Sequence, residues 1–116
     1  MTECYNIDGH IQSFGYKRNP KGKIYTGQFD LYDRSDKFEI WSLMVMERFR
    51  NKGYGTQMLT EFLSQFKSEK PLVLYVYKTN EAAIHLYEKV GFVITGDCHF
   101  TSTAYTMQYN RKEMTQ

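Results

Sequence analysis

The sequence predicts a single domain, residues 1–116, of the α/β (α+β) class, with a mixed sheet and two clear helices. Three observations predict this class. The chain before residue 39 combines turn dipeptides with strand-like alternation and contains no amphipathic helix. Two later segments, 55–67 and 80–90, carry apolar residues at helical spacing. Strand-like apolar segments flank each helix, and a chain of this length buries about two-thirds of its unfolded surface, which suffices for a core.

The segment before residue 39 is expected to form a β-meander. Asp8 and Gly9 make a hairpin-turn dipeptide. Residues 19–22, Asn-Pro-Lys-Gly, supply a second turn between strands Ile11–Arg18 and Lys23–Tyr32. In the second of these strands apolar residues alternate with more polar neighbours, as in a strand with one buried face.

Residues 39–46 form the strand around which the rest of the chain is organised. A period of two divides it into one face with Phe38, Ile40, Ser42, Met44 and Met46 and another with Glu39, Trp41, Leu43 and Val45. Both faces are largely apolar, so we expect a central strand that is covered on both sides. Glu39 is the exception, because it is an acid on a face of large apolar side chains.

A basic turn that contains glycine joins this strand to the first helix. Its spacing is Arg50-x-x-Gly53-x-Gly55, and the first N–H groups of a helix have no intrahelical acceptor. Because the helix dipole adds partial positive charge and glycine leaves room for a ligand, the turn favours an anion. Arg48 and Lys52 add mobile cations, so a diphosphate is the expected ligand. The glycine spacing differs from both the dinucleotide-binding and the P-loop patterns.

The second half of the chain continues to alternate strand and helix. Residues 72–77 are a continuous apolar run that suits a strand parallel to the central one, joined to it through the first helix. Asn80 caps the second helix and Gly91 ends it. Strands Phe92–Asp97 and Thr103–Tyr109 are expected to form a closing hairpin.

Two motifs together identify a family resemblance. The first is the strand-to-helix turn described above, and the second is residues 80–92, of the form N-x-x-A-x-x-L-Y-x-x-x-G-F. Over about residues 38–109 the sequence resembles the GNAT family of N-acetyltransferases. The resemblance implies a mostly antiparallel central sheet in which two parallel strands splay apart and admit the pantetheine arm of acetyl-coenzyme A. The N-terminal meander stands where that family usually carries helices, so we expect an open acceptor side.

The resemblance also implies which residues serve the reaction. The diphosphate of acetyl-coenzyme A would bind the turn formed by Arg50, Asn51, Lys52, Gly53, Tyr54, Gly55 and Thr56. The pantetheine arm would bond to main-chain groups near Met44, Val45 and Met46 and would pass close to Asn80. Tyr87 matches the family tyrosine that protonates the departing thiolate. Without the resemblance, Asn80 is only a helix cap and Tyr87 is only an apolar-face residue.

Glu39 admits three interpretations. In the histone-acetyltransferase branch of the family, a catalytic glutamate lies eleven residues before the first residue of the glycine motif, and the same count back from Arg50 reaches Glu39. A general base there would need a raised pKa, which desolvation beside Trp41 would supply. Alternatively, Glu39 is a surface acid that pairs with Lys37 or Arg34, or it binds the ammonium group of the substrate. Glu47 is a rival candidate for the base.

The predicted function is acetyl transfer from acetyl-coenzyme A to a primary amine by direct attack, because no Cys or Ser is placed to form a covalent intermediate. The open acceptor side and the matched glutamate favour a protein or peptide amine, with a small-molecule amine as the alternative. A different alternative is a non-catalytic module that binds coenzyme A or a partner. Exposed strands before residue 39 also favour a homodimer.

Composition excludes several other classes. A net charge of +2, with one basic cluster already assigned to the diphosphate, does not indicate a nucleic-acid-binding protein. Cys4 and Cys98 form no paired motif, and neither they nor the histidines have zinc-site spacing, so we expect no metal. With no signal peptide and no apolar run near the length of a membrane span, a cytoplasmic protein without membrane contact is expected.

Overall fold

A computed structural model describes residues 1–110, so the last six residues of the predicted domain lie outside the described part. Residues 1–110 form seven strands and two α-helices. Their bounds are β1 Thr2–Asp8, β2 Ile11–Tyr16, β3 Gly27–Asp33, β4 Phe38–Val45, α1 Tyr54–Gln65, β5 Leu72–Tyr77, α2 Glu81–Val90, β6 Phe92–Cys98 and β7 Thr101–Tyr109. A short 3-10 helix, Glu47–Phe49, follows β4.

All the strands belong to one sheet, in the order β1-β2-β3-β4-β5-β7-β6. Every neighbouring pair is antiparallel except β4 and β5, which run parallel and are connected through α1. Consecutive strands joined by turns and loops form the antiparallel pairs except β5 with β7, which have α2 and β6 between them in sequence, whereas the parallel pair needs a crossover helix. The predicted α+β class, with a mixed and mostly antiparallel sheet and two helices, is confirmed.

The N-terminal segment is the meander that the turn residues predict. Gly9 adopts φ 60° between β1 and β2, in agreement with the predicted hairpin turn. The third strand begins at Gly27 rather than at the predicted Lys23, because residues 17–26 form a longer connection. Within the described residues, no α-helix precedes α1.

The parallel pair β4 and β5 is very short. Its register runs only over Phe38 with Leu72, Glu39 with Val73, and Ile40 with Leu74. Beyond Ile40 and Leu74 the two strands no longer pair, although β4 continues to Val45 and β5 to Tyr77. This is the splay that the family resemblance implies, and it opens a gap in the middle of the sheet.

A bulge in β4 changes which face its side chains occupy. The β3–β4 register shifts between Gln28 and Asp30, and opposite that shift Ser42 has a left-handed φ of 57°. Bulges of this kind re-aim the side chains that follow them. Leu43 therefore packs on the core that contains Ile40, so the predicted placement of Leu43 and Val45 on the face of Glu39 and Trp41 is wrong. Simple alternation fails because it assumes an unbroken strand.

The core lies between the sheet and the two helices, which cover the same face. Phe62 of α1 makes edge-to-face contacts with Phe14 of β2 and Phe29 of β3, with ring centroids 5.2 and 5.0 Å apart. These contacts fix α1 across the meander. Met58, Leu59 and Met107 are fully buried beside them.

Several boundaries differ from the predicted ones. Strand β2 ends at Tyr16 instead of the predicted Arg18. Helix α1 ends at Gln65, earlier than the predicted residue 67, because Phe66 adopts an extended conformation. The closing hairpin turns at residues 99–100, so β6 and β7 are longer than the sequence pattern indicates.

Because Phe62 joins the helix to two strands, Phe62→Ala is expected to lower the free energy of unfolding by about 3–5 kcal/mol. Phe100→Ala is the matched control, because the Phe100 side chain is 57% exposed and its loss should cost less than about 1 kcal/mol. Chemical denaturation followed by circular dichroism measures both. Equal losses in the two variants would show that the contacts of Phe62 do not hold α1 on the sheet.

Candidate functional site

One groove collects most of the residues that the sequence assigns to the coenzyme. It has a volume of about 640 Å³ and lies between the end of β4, the turn before α1 and the inner side of α2. Ten of the thirteen predicted site residues line it: Met44, Val45, Arg50, Asn51, Gly53, Tyr54, Gly55, Thr56, Asn80 and Tyr87. The turn and α2 are far apart in sequence, so their convergence is a result of the fold.

The turn before α1 is shaped to receive an anion. Asn51 and Gly53 adopt left-handed φ values of 63° and 82°, and no side chain caps the start of α1. The first N–H groups of α1 are therefore not satisfied by a cap and carry the positive end of the helix dipole. Arg50 donates from Nε to the Val45 carbonyl at 2.8 Å, which ties the turn to the end of β4.

The two glycines of the turn are required for different reasons. Gly53 has a left-handed backbone and nothing within 4 Å of a built Cβ, so its conformation is the requirement. Gly55 is buried, and a Cβ there would lie 3.0 Å from Leu86 Cδ1 of α2. Gly55 was predicted to leave room for a ligand, and it does line the groove; its lack of a Cβ also lets α1 and α2 approach closely.

Three predicted site residues lie outside the groove. Lys52 is exposed on the turn and Met46 lies beyond the groove's end. The Met46 N–H donates to the Thr26 carbonyl at 2.8 Å, and its carbonyl accepts from the Phe49 N–H at 2.8 Å. Both main-chain groups of Met46 are therefore occupied within the chain. Glu39 lies on the opposite face of the sheet.

Asn80, which precedes α2, and Tyr87, which lies within α2, both line the groove. The Asn80 side chain accepts a hydrogen bond from the Ala83 N–H at 3.2 Å, which confirms the predicted cap. Tyr87 packs edge-to-face on Phe92, and burial raises the pKa of its phenol, so the hydroxyl stays protonated at neutral pH. Within residues 1–110 this hydroxyl has no hydrogen-bond partner. It is therefore a proton donor facing the groove with no internal acceptor.

Glu39 is a buried carboxylate that receives hydrogen bonds on both oxygens. Its exposed fraction is 4%. Oε1 accepts from Trp41 Nε1 at 2.8 Å and from Arg34 Nε at 3.1 Å, and Oε2 accepts from the Tyr75 hydroxyl at 2.8 Å. Lys37 Nζ lies 4.0 Å from Oε2. The surface-acid interpretation is thus right about Arg34 as a partner and wrong about solvent exposure.

The pKa of Glu39 moves in the opposite direction from the one expected. Desolvation by burial raises it, but hydrogen bonds from Trp41, Tyr75 and Arg34, together with the charge of Arg34, lower the pKa below its ordinary value. A raised pKa was expected from the apolar surroundings of Glu39, but the Trp41 indole N–H and the Tyr75 hydroxyl in those surroundings donate hydrogen bonds to its carboxylate. Desolvation by burial raises the pKa of the Tyr75 phenol, and the hydrogen bond that the phenol donates to Glu39 raises it further.

Aromatic residues that the sequence analysis did not single out surround Glu39. The centroid of the Trp41 ring system lies 5.4 Å from that of Tyr75, 6.1 Å from that of Phe100 and 6.2 Å from that of Tyr32. Val73 of β5 pairs with Glu39, and alternation with a period of two puts Tyr75 on the same face of the sheet as Val73. This alternation could have predicted that Tyr75 lies near Glu39. Phe100 lies in the turn between β6 and β7, and no feature of the sequence around it predicts that it lies near Trp41.

Other site types receive no support from the described residues. Across residues 1–110, no group of three or more His, Cys, Asp or Glu side chains converges as a metal site would require. In the same part of the chain, no helix has the length and apolarity needed to cross a membrane. Cys4 is exposed, Cys98 is buried, and neither is in a disulfide.

Glu39 gives folding stability a predictable pH dependence. A carboxyl whose pKa is lowered by folding adds stability above its unfolded pKa of about 4.3, and this stability is lost as pH falls through the folded value. We expect the free energy of unfolding of the wild type to drop more steeply than that of Glu39→Gln below about pH 4. Urea titrations at several pH values measure this. Glu88→Gln, an exposed control, should follow the wild type, and parallel curves for Glu39→Gln and wild type would contradict the assignment.

Known proteins share this fold and sequence pattern. Among curated proteins, the chain is similar to a spermine/spermidine N(1)-acetyltransferase of Bacillus subtilis, 30% identical over 91 residues that cover 73% of this chain and 60% of that protein. The chain thus spans less than two-thirds of that relative's length. A variant of the spermidine N-acetyltransferase SpeG from Vibrio cholerae superposes with a TM-score of 0.71 at 19% identity, covering 88% of this chain and 66% of that one.

A second solved structure and a family model agree with these relatives. An IAA acetyltransferase from Bacillus cereus has a TM-score of 0.71 at 19% identity, covering 86% of this chain and 77% of that one. At these identities the two structures show the fold alone. The family model described as the acetyltransferase (GNAT) family matches residues 6–92, which is most of the chain. The protein belongs to the GNAT family of acetyltransferases.

Proposed function

We propose that the protein is an N-acetyltransferase that moves the acetyl group of acetyl-coenzyme A to a primary amine by direct attack. The observation that carries this proposal is the position of the groove, which joins the turn before α1 to the end of β4, beyond the point where β4 stops pairing with β5. Family membership supports the donor. Because the gap passes through the sheet, a thioester on one face can meet an amine on the other.

The donor would lie along the groove in three parts. The diphosphate would bind the uncapped start of α1 and the guanidinium of Arg50. The pantetheine arm would follow β4 at Met44 and Val45, where main-chain groups on that edge are not used by β5. A main-chain N–H on this edge can polarise the thioester carbonyl.

The chemistry would need no covalent intermediate with the enzyme. The neutral amine nitrogen forms a bond to the acetyl carbon, and the carbon–sulfur bond breaks with the electron pair on sulfur. The nitrogen loses its proton to solvent, and the Tyr87 hydroxyl supplies a proton to the thiolate. Tyr87 lines the groove, its raised pKa keeps the hydroxyl protonated at neutral pH, and no group within residues 1–110 accepts a hydrogen bond from it, which together support this assignment.

For Glu39 we propose binding of an acceptor ammonium group rather than proton abstraction. Three donors already hold its oxygens, and a carboxyl with a lowered pKa is a weak base. An anionic carboxylate beside Trp41 and Tyr75 is well suited to attract a cation. The general-base hypothesis remains testable, because it predicts that Glu39→Gln lowers kcat, whereas ammonium binding predicts chiefly a higher KM.

The acceptor is proposed to be a small cationic amine. The Bacillus subtilis relative is a spermine/spermidine N(1)-acetyltransferase, and this similarity and the buried carboxylate of Glu39 both support this class. A protein or peptide amine, the class that the sequence favoured, is the alternative, and the absence of a covering helix over this face within residues 1–110 is compatible with it. Acetylation of spermidine compared with acetylation of a lysine-containing peptide separates the two.

A non-catalytic module that binds coenzyme A is the second candidate. It is favoured by one observation, namely that Arg34, Trp41 and Tyr75 already saturate Glu39. Such a module would bind acetyl-coenzyme A and would leave every amine unmodified.

Two further predictions concern the state of the protein. A homodimer is proposed because β1 and β6 end the sheet and each presents an outer edge to a second chain. Multi-angle light scattering measures the oligomeric state.

A cytoplasmic location is proposed from the two free thiols, which fit a reducing compartment.

Arg50→Ala is expected to weaken acetyl-coenzyme A binding by roughly 10- to 100-fold, because it removes a charge-assisted contact to the diphosphate and the tie to Val45. Isothermal titration calorimetry measures the dissociation constant. Lys21→Gln removes the same charge on an exposed loop and should bind like the wild type. If Arg50→Ala and wild type bind equally, the diphosphate does not lie on this turn.

Tyr87→Phe is expected to lower kcat by about 10- to 100-fold while the affinity for acetyl-coenzyme A stays unchanged. The effect lies at the low end for general acid catalysis because a thiolate is a fair leaving group. Steady-state release of free coenzyme A, measured with a thiol reagent, gives kcat. An unchanged kcat in this variant would remove Tyr87 from the mechanism.

A further inference from the structure

We propose that Arg34 fills a binding site for an alkylammonium group, and that one amino group of a diamine or polyamine acceptor displaces it. The site is formed by Glu39, Tyr32, Trp41 and Tyr75 on the face of the sheet opposite the coenzyme groove. The proposal rests on the proposed acetyl transfer to a small amine and names the class of acceptor.

The site is built around one carboxylate and several aromatic rings. Arg34 donates from Nε to Glu39 Oε1 at 3.1 Å, and its guanidinium carbon lies 4.8 Å from the centre of the Tyr32 ring. Trp41 and Tyr75 orient the carboxylate through their own hydrogen bonds of 2.8 Å. A carboxylate fixed in this way, with aromatic faces beside it, selects for a cation over a neutral group.

The side chain of Arg34 is positioned so that it can leave Glu39 and return to it. Its side chain is 48% exposed, whereas that of Glu39 is only 5% exposed. The main chain of Arg34 is held separately, because its N–H donates to the Lys37 carbonyl and its own carbonyl accepts from Lys70 Nζ. The guanidinium can therefore swing into solvent while the loop stays in place.

Displacement requires a replacement cation. A buried carboxylate that loses its charged partner carries a large desolvation cost. Lys37 lies at 4.0 Å from Glu39 and also pairs with Asp36 at 3.6 Å, so it neutralises Glu39 only in part. An incoming ammonium group that takes the place of Arg34 keeps Glu39 neutralised, which makes the exchange nearly balanced.

The position of the site explains why the acceptor needs two amino groups. Trp41 and Tyr75 are the first residues after the last β4–β5 pair, so the site lies beside the gap that leads to the groove. Because Trp41 and Tyr75 donate hydrogen bonds to the two oxygens of Glu39, the carboxylate is a weak base, and the ammonium group that it holds stays charged and cannot attack. A second amine on the same molecule must therefore be the nucleophile, and the ammonium at Glu39 acts as its anchor.

The chain contains a reporter for this site, because Trp41 is its one tryptophan. The experiment titrates the protein, without acetyl-coenzyme A, with 1,5-diaminopentane and with n-pentylamine while the fluorescence of Trp41 is recorded. Wild type, Arg34→Gln, Arg34→Lys and the charge-matched control Lys21→Gln are compared, and thermal unfolding verifies that each variant is folded.

We expect the diamine to bind Arg34→Gln about tenfold more tightly than wild type, because the competing guanidinium is gone. Arg34→Lys and Lys21→Gln should stay near the wild-type affinity. Unchanged or weaker diamine binding in folded Arg34→Gln would overturn the proposal, as would the absence of any Trp41 response in both wild type and Arg34→Gln.

A kinetic arm separates this proposal from the proposed activity. With acetyl-coenzyme A present, the KM for 1,5-diaminopentane should fall by a similar factor in Arg34→Gln, and n-pentylamine should have a KM at least about tenfold higher than the diamine. Equal KM values for the two amines would overturn the anchor. Tighter diamine binding without any acetylation would support the cation site and contradict the transferase.

Discussion

The structure depends most on where the pairing between β4 and β5 stops. Three residue pairs join the two strands, and beyond Ile40 and Leu74 they separate. The bulge at Ser42 lies just past this point and turns the rest of β4 toward the helices. Because the strands are unpaired beyond this point, the proposed donor groove on one face and the proposed acceptor surface on the other would meet at one gap.

Each face of the gap has its own electrostatic character. The groove face carries the uncapped start of α1 and Arg50, so it is positive where a diphosphate would lie. The opposite face carries the buried anion Glu39 among aromatic rings, so it favours a cation. Tyr87 lies on the groove side, and within residues 1–110 no group accepts a hydrogen bond from its hydroxyl. In the proposed reaction, an anionic donor and a cationic acceptor would thus lie on opposite faces of one sheet.

Much of this arrangement was predictable, because it depends on local sequence patterns or on the two motifs. The meander, both helices, the Asn80 cap and the groove residues follow from turn chemistry, periodicity and two motifs. The bulge was not predictable, since no residue before it signals a break in alternation, and it reversed the faces of Leu43 and Val45. The pKa of Glu39 was expected to move the wrong way, because donors from Trp41 and Tyr75 depend on tertiary contacts that spacing does not reveal.

The most direct test of the two-sided gap is a crystal structure with a bisubstrate analogue that joins coenzyme A, through its sulfur, to one nitrogen of a diamine. The account predicts that the diphosphate lies on the turn before α1, that the linkage passes between β4 and β5 beyond Ile40, and that the free amino group lies on Glu39 with Arg34 displaced. An analogue bound entirely on one face of the sheet, with the gap empty, would contradict the account.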